Sequence, residues 1–71
     1  MAAYVEMEFY SLKYARDMKY HGFVTSAADF GYLLERHGIE PDHIKSLALD
    51  GQKRDDAERL ARDAKEKLNG L

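Results

Sequence analysis

The chain is 71 residues long, with 34% charged and 45% hydrophobic residues and a formal net charge of −2. That balance is globular rather than disordered, and its length allows one domain. It holds no cysteine, which excludes disulfides and thiolate zinc sites. The slight acidity argues against a nucleic-acid binder, whose affinity comes mainly from neutralising phosphates.

A core this small rarely supplies more than about 3–5 kcal/mol, and with disulfides excluded the common remaining staple is oligomerisation. A dimer is therefore expected. No apolar run approaches the roughly 20 residues of a membrane span. The opening Met1-Ala2-Ala3-Tyr4-Val5-Glu6 lacks the basic-then-apolar order of a signal peptide. The expected location is cytoplasmic, with no membrane partner. Charge is uneven: residues 1–51 carry five Lys/Arg against eight Asp/Glu, and residues 52–71 carry six against five. Neither part forms a basic patch.

In chain order, Ala3–Tyr20 is expected to be a helix with two apolar stripes. Val5, Phe9 and Leu12 cluster on one side of a 100° wheel. Met7, Tyr10, Tyr14 and Met18 cluster nearly opposite, with Glu6, Lys13 and Asp17 between. One stripe is usual for a helix on a globular surface. The second stripe, Met7, Tyr10, Tyr14 and Met18, is the candidate self-association face. The alternative for this stretch is local: Val5-Glu6-Met7-Glu8-Phe9 alternates strictly, the period of a strand.

His21-Gly22 is a stop signal. Ser26-Ala27-Ala28-Asp29 resembles a capping box with Asp in place of Glu, so a helix is expected from about Ala27 to His37. Phe30, Leu33 and Leu34 form its apolar face and Gly38 stops it. Pro41 suits the first turn of a third helix, with Ile44, Leu47 and Ala48 on one face. Asp50-Gly51 marks a turn or a stop. The spacing leaves open whether residues 41–69 form one kinked helix or two. The last helix is expected from about Lys53 to Asn69, with a narrow stripe of Ala57, Leu60, Ala61, Ala64 and Leu68. Asp55, Glu58 and Asp63 each precede a base by four residues, pairs worth about 0.2–0.5 kcal/mol each.

No catalytic constellation stands out. Ser11, Thr25, Ser26 and Ser46 are the non-tyrosine hydroxyls, none in a nucleophile elbow, and no glycine-rich phosphate loop is present. His21, His37 and His43 lack the i, i+4 spacing of two ligands on one helix face. Glu40 and Asp42 near His43 could complete a carboxylate site, but such acids are common at helix starts by chance. His21 and His37 fit helix C-termini, where an imidazolium complements the dipole. No metal or cofactor is expected. Tyr4, Tyr10, Tyr14, Tyr20 and Tyr32 are many tyrosines for this length, and aromatic rings with a polar tip suit protein interfaces.

Residues 30–47 resemble a helix-turn-helix, with Phe30, Leu33 and Leu34 before Gly38 and Ile44 and Leu47 after it. That resemblance implies a DNA-reading helix, but Asp42, His43, Lys45 and Ser46 stand where Arg, Lys, Asn or Gln normally read bases. In residues 4–34 a short alternating segment leads to a stretch with Leu12, Ala15 and Met18 on a helical spacing, and Gly22 precedes Thr25-Ser26 and a helix with Phe30 and Leu33. This resembles a ribbon-helix-helix protein, which implies a dimer laying paired strands into the major groove. Glu6 and Glu8 would meet phosphate there. The sequence thus predicts an all-α fold of three to four short helices in one small domain, residues 1–71, with a short N-terminal strand as the alternative. The expected function is a non-enzymatic homodimer binding a protein partner. A DNA-binding regulator is the alternative.

Overall fold

A computed structural model of the chain describes residues 2–70. It is an α+β fold rather than an all-α bundle: four antiparallel strands in the order β2-β1-β3-β4, with two helices. The strands are β1 (Ala3–Ser11), β2 (Arg16–Val24), β3 (Ile44–Leu49) and β4 (Gln52–Lys53). The helices are α1 (Ala27–His37) and α2 (Ala57–Asn69). The chain thus runs twice through strand, strand, helix, and the second pass is the shorter.

The largest correction concerns the N-terminus. Ala3–Tyr20 is a β-hairpin, not a helix: β1 and β2 pair without a break from Ala3↔Val24 to Ser11↔Arg16. The Val5–Phe9 alternation extends over the whole strand. Val5, Met7, Phe9 and Ser11 are buried on one face, and Tyr4, Glu6, Glu8 and Tyr10 stand on the other. Val5 and Phe9 satisfy both a helical and a strand period, because four residues bring the chain to the same side in either geometry. The connection, Leu12-Lys13-Tyr14-Ala15, holds none of the usual turn residues. Two compensations make it: Ala15 adopts φ 53°, and the buried Ser11 Oγ accepts the Tyr14 N–H at 3.1 Å.

Helix α1 matches its sequence limits. Ser26 Oγ accepts the Asp29 N–H at 3.1 Å. Asp29 Oδ2 reaches one residue further back than in a standard capping box, accepting the Thr25 N–H at 2.8 Å. Gly38, at φ 64°, closes the helix. Its N–H donates to Glu35 and the Ile39 N–H donates to Leu34, the paired bonds of a Schellman stop.

The third expected helix is a second correction. Pro41–His43 makes one 3-10 turn, after which Ile44–Leu49 is strand. A bulge explains the misleading spacing. The β1–β3 register shifts between Glu8 and Phe9: Glu8 faces Ser46 while Phe9 faces Ile44. The extra residue, Lys45, puts Ile44 and Leu47 on the same face although they lie three apart, as in a helix. Asp50-Gly51 is a hairpin turn with positive φ at both residues, 51° and 81°, as expected of the tight turns that join antiparallel strands.

Helix α2 begins at Ala57 rather than Lys53, since Gln52–Lys53 joins the sheet. Ala61 and Ala64 of its stripe are buried, and Ala57, Leu60 and Leu68 are half-buried. One apolar cluster fuses the layers: Val5, Met7, Phe9, Val24 and Leu47 from the sheet, Phe30, Leu33 and Leu34 from α1, Ile39, and Ala61 and Ala64 from α2. Both helices therefore cover one face, and the other face is bare.

Candidate functional site

The bare face follows from the register. Tyr4 faces Phe23, Glu6 faces His21, Glu8 faces Lys19 and Tyr10 faces Asp17. On the other side Glu6 faces Ala48 and Glu8 faces Ser46, and Ala48 in turn faces Lys53. A shallow concavity of about 510 Å³ lies here, bordered by Tyr4, Glu6, Glu8, Lys19, His21 and Lys53. The Tyr4 and Phe23 rings meet at 5.0 Å, a separation at which tilted aromatic pairs attract. Cations and carboxylates are interleaved, and Lys45 Nζ reaches Asp17 at 2.7 Å. That contact raises the Lys45 pKa through its hydrogen bond to Asp17.

The two edges of the sheet differ sharply. One is formed by β4, only two residues long and paired with Ala48 and Leu49, and beyond it by the bulged stretch of β3 around Lys45. Short strands and bulges are how proteins blunt an edge. The other edge is β2, nine residues with no bulge and no proline.

Which β2 groups face outward can be worked out from Tyr4. Its N–H donates to Asp50 Oδ1 at 2.9 Å and its carbonyl accepts the Asp50 N–H at 2.8 Å, so both its main-chain groups face β3. Alternate residues of an antiparallel strand turn their groups to opposite sides. Val5, Met7 and Phe9 therefore bond Gly22, Tyr20 and Met18 of β2. The groups of Asp17, Lys19, His21 and Phe23 point away from the sheet, where β2 has no neighbouring strand among the described residues. All four residues are exposed. Beyond them, the Thr25 N–H is already held by Asp29.

A second, smaller groove of about 150 Å³ runs between this edge and α1, lined by Tyr20, Val24, Leu33 and His37. Tyr20 and His37 pack at 5.3 Å. Phe23 and Tyr32 rim it and are 69% and 56% exposed, a large apolar commitment to solvent for so small a domain. The Tyr20 ring lies over Gly22, where a Cβ would come within 2.6 Å of its hydroxyl.

The residues expected to form one self-association face do not share one. Met7 is buried in the core and Met18 packs half-buried against it. Tyr10 stands on the bare face, and Tyr14 is exposed in the hairpin turn. The strand period separates what the helical period groups. The helix-turn-helix likeness has no second helix, because residues 44–49 are strand. The ribbon-helix-helix likeness meets a two-stranded hairpin before α1 instead of a single ribbon. Among the described residues, no three His, Asp or Glu side chains converge as metal ligands. His43 packs edge-on against Tyr10 at 6.0 Å, with its Nδ1 buried and unpaired. Among the described residues, no helix is long and apolar enough to cross a membrane.

The β2 edge was missed because it is a property of pairing. The signal available was the outward series Asp17, Lys19, His21, Phe23 at every second position. Compared with protein-family models, curated proteins and solved structures, the chain finds no match.

Proposed function

We propose that this chain is a non-enzymatic protein-interaction module that self-associates and presents its sheet to a protein partner. One observation carries the reading: a nine-residue strand without a bulge forms one edge along its whole length, while the opposite edge is a two-residue strand followed by the bulged stretch of β3. An open, regular edge is a template for pairing with another polypeptide. Exposed Phe23 and Tyr32 lie along the same edge, and aromatic residues of this kind are enriched in protein interfaces. The interleaved charges of the bare face suit a protein surface better than a phosphate backbone, since Glu6 and Glu8 occupy its middle strand.

Sedimentation velocity of the full chain across the micromolar range tests the reading. It requires a concentration-dependent shift from monomer to dimer. A single monomeric species up to several hundred micromolar would refute it.

A further inference from the structure

We infer that the occupant of the β2 edge is the β2 edge of a second copy, paired antiparallel about a twofold axis at Tyr20 to give a continuous eight-stranded sheet. This rests on the self-association proposed above and adds the surface and the register.

The register follows from which groups are free. A twofold axis between two antiparallel copies of one strand must pass through a single residue position. Centred on Tyr20, it places Lys19 opposite the partner's His21 and Asp17 opposite the partner's Phe23, and the reverse. Every outward main-chain group from Asp17 to Phe23 then has a partner. Centred on Lys19, it sets two lysines face to face and carries Phe23 past the strand to the turn residue Ala15. Centred on Met18, it gains Asp17 opposite Lys19 but leaves His21 and Phe23 unpaired. Centred on His21, it spends a pair on Thr25, whose N–H Asp29 already holds. Each outward pair left unformed forgoes two ladder hydrogen bonds, more than an exposed ion pair returns.

The side chains fit the same register. On the bare face, Asp17 is already held by Lys45 and Lys19 faces Glu8 within its own protomer. The row across the joint reads Glu8, Lys19, the partner's His21, the partner's Glu6, with carboxylates flanking the bases. On the helix side, Tyr20 meets the partner's Tyr20. Met18 comes opposite the partner's Gly22, over which that protomer's own Tyr20 ring lies.

The chain's lack of cysteine allows a clean test. Single cysteines are placed at Met18, Lys19, Tyr20 and His21 and each variant is oxidised at dimer concentrations. Residues in a non-hydrogen-bonded antiparallel pair sit about 4.5 Å apart, within the range of a disulfide. Tyr20→Cys is expected to cross-link to completion and the other three not to. A cross-link at Met18, Lys19 or His21 instead overturns the register. A dimer in which none cross-links overturns the edge pairing while leaving self-association standing, and a monomeric wild type overturns both. A second variant guards against misfolding of Tyr20→Cys. Lys19→Pro removes an outward N–H and leaves the β1 ladder intact, a position where edge strands tolerate proline. It is expected to raise the dimer dissociation constant about tenfold or more. An unchanged constant in folded Lys19→Pro overturns the pairing.

Discussion

Replacing Gly31 by alanine sets two rules against each other. In an exposed helix interior, Gly→Ala gains about 1 kcal/mol of helix propensity. Gly31 is instead buried where α1 crosses α2. A Cβ built there lies 2.3 Å from the Ala64 carbonyl oxygen, 2.8 Å from the Ala64 carbonyl carbon and 3.1 Å from the Leu68 Cβ. Ordinary contact begins near 3.4 Å, so the helices would have to separate by about 1 Å at their closest point. The obstruction is main chain, which no rotamer change relieves. Overpacking of this kind costs about 1–3 kcal/mol and occasionally more, and the backbone contact places this site at the upper end. After the propensity gain, a net loss of about 1–2 kcal/mol is expected. Against the roughly 3–5 kcal/mol that a core this small supplies, the loss is readily measured. Urea unfolding followed by far-ultraviolet circular dichroism, at one fixed protein concentration, reads it as a lower midpoint with an unchanged slope. A midpoint equal to or above the wild type would refute the close helix crossing.

Ala15 invites the opposite change. At φ 53° it pays for a left-handed conformation that glycine adopts freely, so Ala15→Gly should stabilise by about 0.5–1 kcal/mol after glycine's extra unfolded-state entropy, seen as a higher thermal midpoint. Ser26→Ala removes the acceptor for the Asp29 N–H and should cost about 1 kcal/mol, checked by the same urea titration. Asp56 receives hydrogen bonds from Arg54 and Arg59, which hold its pKa below the ordinary aspartate value. A depressed carboxylate pKa gives stability that is complete above the unfolded value and is lost as pH falls through the folded one. Asp56→Asn should therefore flatten the stability profile between neutral pH and the acid side of the ordinary aspartate range, and leave it unchanged at still lower pH. A profile parallel to wild type throughout would contradict this.

Segments with local punctuation are legible in the sequence. Ser26 and Gly38 bracket α1 because a cap and a left-handed stop are set by single residues. Asp50-Gly51 announces its turn for the same reason, and the alanine stripe of α2 lies where the wheel puts it. The hairpin is not legible because its turn hides. Leu12-Lys13-Tyr14-Ala15 looks like helix continuing, and the constraint that bends it is the side chain of Ser11 together with one strained alanine. Strand β3 is disguised by its bulge, which converts a period of two into a spacing of three. The candidate site sits downstream of both errors. With Ala3–Tyr20 read as helix, Met7, Tyr10, Tyr14 and Met18 share a face. Paired as a hairpin, that face dissolves, and the free backbone of Asp17, Lys19, His21 and Phe23 takes its place.

The most direct measurement is amide hydrogen exchange along β2 of the unmodified chain, followed by NMR at low and at high protein concentration. The amides of Met18, Tyr20 and Gly22 bond β1 and should be protected at both. Those of Lys19, His21 and Phe23 should exchange freely when dilute and become protected only when the chain is concentrated. Equal exchange of the second set at both concentrations would contradict edge-to-edge pairing, and rapid exchange of the first set would contradict the hairpin itself.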